Sequence, residues 1–155
     1  MGTRGSENEA TRAASSPASR SEDAAHPPSP VLVLVVEDDR AVTRMLRLAL
    51  RAGGFSVLEV RTGVEATEAL ERQSIDAVIL DLGLPNGRSD AVLHWLRNRG
   101  RSVANAPAWV VTSALDLSDV VKRYGRVDEH FVAKPFNPWE LVQALNRQLS
   151  ARGAP

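Results

Sequence analysis

Carboxylates, a hydroxyl and an ammonium recur in this chain at one kind of place, directly after a short apolar run. Val31–Val36 leads into Glu37-Asp38-Asp39, Ala77–Leu80 into Asp81, Ala108–Val111 into Thr112-Ser113, and His130–Ala133 into Lys134-Pro135. Successive like charges repel unless a cation offsets them. Carboxylates with few neutralising partners suit a hard cation, and Mg2+ is favoured because it takes few protein ligands and keeps waters and phosphate oxygens. A lysine adds a point charge for phosphate, and a threonine hydroxyl can hydrogen-bond a phosphoryl oxygen. A carboxylate set among such groups can act as nucleophile on phosphorus and carry an acyl phosphate.

For those groups to meet, the apolar runs must be neighbouring strands of one parallel sheet. Short apolar runs bounded by turn residues read as strands buried on both faces. The expected strands are Val31–Val36, Phe55–Val60, Ile75–Asp81, Ala108–Thr112 and His130–Ala133. Helical periodicity fills the gaps. Val42, Met45, Leu46 and Ala49 share a face, widened by Leu48 and Leu50, behind Asp39 as N-cap, and Gly53-Gly54 stops that helix. A second helix is expected over Gly63–Arg72, with Val64, Ala66, Ala69 and Leu70 inward. A third follows the loop Leu82–Ser89 and runs to Arg99, with Ala91, Val92, Trp95 and Leu96 inward and His94 at the surface. A short fourth is expected over Ser118–Tyr124, capped by Ser118 and stopped by Gly125. Asn137-Pro138-Trp139-Glu140 supplies an N-cap, a first-turn proline and an acidic N3 for the last, which packs through Leu141, Val142, Leu145 and Leu149. Five strands alternating with five helices imply an α/β fold of right-handed βαβ units. Parallel strands put their carboxyl ends on one edge, where the polar residues converge.

Composition narrows the alternatives. The 155 residues carry 19 Lys+Arg and 19 Asp+Glu, so charge makes no case for a nucleic acid or an anionic membrane surface as partner. Cysteine is absent, which removes disulfides and thiolate chemistry. No apolar run approaches the roughly 18 residues of a membrane span, and a cytoplasmic protein is expected. His26, His94 and His130 lack zinc-site spacing. No phosphate-binding glycine loop of the P-loop or dinucleotide type is present. Residues 1–30 hold Ala, Ser, Pro, Gly and Arg with no Leu, Ile, Val or aromatic, ending His26-Pro-Pro-Ser-Pro30, and are expected to be a disordered tail. Met1–Ser6 matches an N-myristoylation pattern, against which the plain tail is the better reading.

Val35-Val-Glu-Asp38, Leu80-Asp-Leu-Gly-Leu-Pro85, Val111-Thr-Ser113 and Phe131-Val-Ala-Lys-Pro-Phe136 stand in one order along the chain. Together they resemble the four signatures of the receiver domain of two-component response regulators, from about Val31 to Ser150. The domain is expected over residues 31–151, of a stand-alone type resembling the chemotaxis response regulator. The resemblance implies a flavodoxin-like five-stranded sheet in order 2-1-3-4-5. It implies Asp81 as phosphoacceptor, with Glu37, Asp38, Asp81 and the Gly83 backbone carbonyl holding Mg2+. By the same likeness Thr112 contacts the phosphoryl group, Lys134 pairs with it through a usually cis bond to Pro135, and Thr112 and Phe131 form the switch. A sensor histidine kinase or histidine phosphotransfer protein is the implied donor, and output is expected through a helix 4–strand 5–helix 5 face to a protein target. No nucleic-acid or membrane partner is expected, no enzymatic turnover, and a monomer or phosphorylation-dependent dimer.

Two departures bear on the site. The family's glycine eight residues past the acceptor is replaced by Ser89, with Gly87 nearby, so either the loop follows another path or Ser89 is held at φ > 0. Gly83 and Ala114, two residues past Asp81 and Thr112, offer no side chain to orient water. A phosphohydrolase with an aspartyl nucleophile usually has an Asp where Gly83 stands, which argues against turnover. A docking module independent of phosphate is the other rival, kept open by Ser89. Asp39 reads as a cap, Trp109 as packing, and Trp139 as exposed and available to a partner.

Overall fold

The computed structural model describes residues 29–99 and 105–153, so the readings placed on residues 1–28 lie outside the described residues. Its elements are β1 (Leu32–Val36), α1 (Arg40–Ala52), β2 (Ser56–Val60), α2 (Gly63–Arg72), β3 (Ala77–Asp81), α3 (Ser89–Arg99), β4 (Ala108–Ser113), α4 (Leu117–Tyr124), β5 (Phe131–Ala133) and α5 (Pro138–Gly153). Single 3-10 turns occupy Pro85–Gly87 and Asp128–His130. All pairings are parallel and the strand order is β2-β1-β3-β4-β5, as expected.

Alternation along the central strands sorts the helices. Val33, Val35, Ala77, Ile79, Ala108 and Val110 face one layer, where Leu46 and Leu50 of α1 and Leu141 and Leu145 of α5 close the core. Leu34, Val36, Val78, Leu80 and Val111 face the other, against Ala66 and Leu70 of α2, Val92 and Leu96 of α3, and Val120 and Tyr124 of α4. A strand covered on both faces has no polar side to show, so β1 and β3 read as continuous apolar runs. No helix among the described residues is long and apolar enough to cross a membrane.

Local chemistry sets the helix ends. Asp39 Oδ1 accepts from the Ala41 and Val42 amides, at 2.7 and 3.2 Å. Thr62 and Glu65 form a reciprocal capping box that starts α2. Asn137 Oδ1 accepts from the Trp139 amide at 2.9 Å and starts α5. Gly54 and Gly125 take φ of 86° and 76°, the left-handed values that end α1 and α4.

Several expectations are corrected. α4 is capped by Asp116, which accepts from the Asp119 amide at 3.0 Å, while Ser118 is inside the helix and donates to Asp116. Either residue type caps well, and only the turn out of β4 decides between them. In α3, Ala91 is exposed and Leu93 is buried in its place, because the helix begins at Ser89 and its phase follows from that start. β3 begins at Ala77, β4 runs on to Ser113, and His130 belongs to a 3-10 turn ahead of β5. α5 continues to Gly153, past the expected boundary at 151. Trp139 is half exposed, as expected.

Leu141 is fully buried between α5 and the sheet, whereas Leu48, expected in the inner stripe of α1 with Leu50, lies on its outer side and is 61% exposed. Leu141→Ala is expected to lower the free energy of unfolding by about 2–5 kcal/mol, and Leu48→Ala to change it by less than about 0.5 kcal/mol. Urea titrations of both variants check this, and similar midpoints would contradict the assigned core.

Candidate functional site

β1, β3, β4 and β5 deliver their last residues to one edge of the sheet. Glu37 follows β1 directly, and its amide donates to the Val60 carbonyl at 3.2 Å, which keeps it in strand register. Asp81 closes β3 and is paired in register with Thr112 of β4. The Lys134 amide donates to the Ser113 carbonyl at 2.8 Å, extending the β4–β5 ladder to the lysine, and the Lys134–Pro135 peptide is cis. The apolar strands thus carry a carboxylate, a hydroxyl and an ammonium into a partly enclosed cluster: Glu37 is 3%, Asp81 5% and Thr112 1% exposed.

Lys134 joins the carboxylates. Its Nζ donates to Glu37 Oε2 and to Asp81 Oδ2, each at 2.9 Å. The other oxygens are also engaged: Glu37 Oε1 accepts from the Asp39 amide at 3.1 Å, and Asp81 Oδ1 from the Gly83 amide at 2.8 Å. One carboxylate oxygen from each of Glu37, Asp38 and Asp81 lies within 4.8 Å of the others. Hard oxygen donors at that separation, with Asp38 at the open side, fit a divalent cation. At Gly83 a Cβ would approach Asp81 Oδ1 to 3.3 Å, so a side chain there would crowd the carboxylate.

Electrostatics reflect the crowding. Burial pushes the Glu37 carboxyl above the usual carboxylate range and repulsion from Asp81 adds to it, against the lowering by its bond from Lys134. Burial works against the charge on Lys134, but its bonds to Asp81 and Glu37 outweigh that and hold the ammonium above the usual lysine value.

Of the residues expected at the site, Glu37, Asp38, Asp81 and Lys134 come together at the sheet edge, Gly83 and Thr112 lie next to Asp81, and Phe131 lies apart from them. Phe131 starts β5, pairs with Val111 and is only partly buried against the α4 side of the core. Asp39 is a cap, as read. Ser89 is the informative departure. It is fully buried as the first residue of α3 and its Oγ donates to the Asp81 carbonyl at 2.9 Å. The left-handed residue of this loop is Gly87, at φ 63°, so the chain turns before Ser89 and leaves it without strain. Sequence reading missed three contacts. Arg61 donates to the Asp38 carbonyl at 3.1 Å, Gly63 sits so close to Arg88 that a Cβ would meet its carbonyl oxygen at 2.5 Å, and the Tyr124 hydroxyl donates to the Leu82 carbonyl at 3.1 Å. No local signal marks these contacts, because each joins residues far apart in the sequence.

Comparison with known proteins agrees with this geometry. The family model described as the response regulator receiver domain matches residues 33–146. The transcriptional regulatory protein KdpE of Mycobacterium tuberculosis is 36% identical over 114 residues, 74% of this chain and 49% of that protein. Response regulator MprA of a Mycobacterium species is 35% identical over 126 residues, 81% of this chain and 53% of that protein. The chain spans about half the length of these relatives. The crystal structure of a CheY-like response regulator receiver domain protein from Methanospirillum hungatei superposes with a TM-score of 0.66 over 81% of this chain and 98% of that one; at 20% identity the likeness is one of fold. A relative described as a transcriptional regulator leaves the expectation of no nucleic-acid partner without support.

Because the folded chain raises the Glu37 carboxyl, its protonated form favours folding below the unfolded value, and that contribution is lost as pH rises through the folded value. At neutral pH the charged Glu37 therefore works against the fold. Glu37→Gln is expected to raise the urea midpoint at pH 7 without divalent cations, with the gain shrinking as pH falls and wild-type Glu37 takes up its proton. An equal or lower midpoint at pH 7 would refute the crowding.

Proposed function

The chain belongs to the response regulator receiver domain family, and from that membership we propose that Asp81 accepts a phosphoryl group and that the chain relays it as a signal. The observation that carries this reading is the setting of the Asp81 carboxylate. It is held by Lys134 Nζ and the Gly83 amide, with Glu37 and Asp38 beside it at the edge of the sheet.

In the proposed step an Asp81 oxygen attacks the phosphorus of a phosphohistidine on a histidine kinase or phosphotransfer protein. The P–N bond breaks with its electron pair returning to the imidazole, and an aspartyl phosphate anhydride forms. Glu37, Asp38, Asp81 and the Gly83 carbonyl would hold Mg2+, which when bound supplies positive charge against the transferring phosphoryl oxygens. Lys134 moves its bond from Asp81 Oδ2 to a phosphoryl oxygen, and the Thr112 hydroxyl turns to another. The small Gly83 and Ala114 leave water access unobstructed by side chains. Withdrawing Thr112 and Lys134 toward the phosphoryl group biases β4 and β5, and Phe131 carries the change to the α4–β5–α5 face. The products are a charged anhydride and a shifted conformational equilibrium, so the chain works as a cytoplasmic switch rather than as an enzyme on an external substrate. Output is read by a protein partner on that face. The seat of Ser89 beneath Asp81 leaves the acceptor in place, so the phosphate-independent docking alternative gains nothing from that departure.

Intact mass after incubation with acetyl phosphate and Mg2+ tests the proposal. One added phosphoryl group is expected in wild type and none in Asp81→Asn, with both proteins folded. A modified Asp81→Asn, or a wild type that neither gains mass nor binds beryllofluoride, would overturn the assignment.

A further inference from the structure

Tyr124 is the only tyrosine of the chain. It ends α4, is 9% exposed, and points its hydroxyl into the loop that follows the acceptor, donating to the Leu82 carbonyl at 3.1 Å. That carbonyl belongs to the Leu82–Gly83 peptide, and the N–H of the same peptide donates to Asp81 Oδ1 at 2.8 Å. One rigid peptide plane thus receives a hydrogen bond from α4 at one end and gives one to the acceptor carboxylate at the other. The Leu82 amide, in the preceding peptide, donates to the Thr112 carbonyl at 2.8 Å, so the chain entering the plane is tied to β4. The tyrosine is itself held at its backbone. Arg97 of α3 donates to the Tyr124 carbonyl and, at 2.9 Å, to that of Arg126. The hydroxyl therefore has a fixed origin and a fixed target.

We infer that Tyr124 is a positioning residue for the phosphoacceptor, acting through the Leu82–Gly83 peptide to orient and polarise the hydrogen bond on Asp81 Oδ1. This rests on the phosphoacceptor reading of Asp81 for its functional meaning, though not for its geometry. Donation to a peptide carbonyl strengthens the N–H of the same amide as a donor, so the two bonds reinforce each other. Burial raises the Tyr124 phenol above the usual tyrosine value, which keeps it a neutral donor around neutral pH. With the hydroxyl removed, the buried Leu82 carbonyl loses a partner and the plane can tilt, taking the Gly83 amide off Asp81. The effect is reciprocal: a displacement of α4 that withdraws the hydroxyl loosens the same clamp, and this links the output side of the fold to the acceptor without passing through Thr112 or Phe131.

The single tyrosine makes the relay testable in both directions on the full chain. Tyr124→Phe removes the donor, while biosynthetic replacement of tyrosine by 3,5-difluorotyrosine, studied at a pH where the phenol is still protonated, strengthens it. The amide proton of Gly83 is expected to move upfield in Tyr124→Phe and downfield in the difluorotyrosine protein. Phosphorylation by acetyl phosphate should slow by roughly two- to tenfold in Tyr124→Phe, the rate equivalent of one neutral hydrogen bond. A Gly83 proton that stays put in both proteins, or moves the same way in both, would overturn the inference, since altered packing has no reason to follow donor strength in sign. So would an unchanged rate in Tyr124→Phe while wild type is phosphorylated normally. Opposite shifts in a wild type that takes up no phosphoryl group would uphold the relay and remove the phosphoacceptor reading instead.

Discussion

Lys134 sets one ammonium between two carboxylates, 2.9 Å from each, at an edge where three acidic side chains are crowded together. Without that cation Glu37 and Asp81 would face each other almost fully buried, each charge uncompensated. Pairing relieves the repulsion without erasing the cost of desolvation, so a cluster of this kind contributes little net stability. The raised Glu37 carboxyl is the residue of that cost. Much of the remaining structure can be understood as the framework that forces these groups to coexist.

The framework is the parallel sheet. Only parallel strands bring four successive chain ends to one edge, and only a sheet covered on both faces is stiff enough to hold them there. β1 and β3 contribute Glu37 and Asp81 side by side, and β4 aligns Thr112 with Asp81 in register. β5 is short, yet its ladder to β4 is what carries Lys134 to the edge, from which its long side chain reaches back to β3 and β1. Two helices on one face and three on the other seal the strands, and the caps at Asp39 and Asn137 start α1 and α5 next to the site rather than across it.

The loop after β3 is where packing and chemistry meet. Gly87 turns the chain, Ser89 returns a hydroxyl to the Asp81 carbonyl, and the Gly83 amide holds a carboxylate oxygen, so the acceptor is gripped through both its backbone and its side chain. Tyr124 adds a grip from α4. A residue held by several weak bonds from different elements is precisely placed and still able to respond when one of those elements moves.

Much of the fold was legible in the sequence because its signals are local. Apolar runs ending in polar residues marked the strands, and the apolar periodicity bounded α2 at Gly63–Arg72, although Val64 of that expected inner face is 42% exposed. The membership of the site was legible for a related reason: a strand end is a position that topology, once inferred, places on a known edge. What a local signal cannot carry was decided by tertiary structure. Asp116 and Ser118 cap equally well in isolation, and the exit from β4 chose between them. Ser89 could have been strained, and the turn at Gly87 settled that it is a buried donor beneath the acceptor instead. Tyr124 and Leu82 are 42 residues apart, and the bond between them exists only because the end of α4 packs into the same core as the loop after β3. Residue types and spacing determined which groups could meet at the edge of the sheet; the distances, partners and protonation of those groups belong to long-range packing.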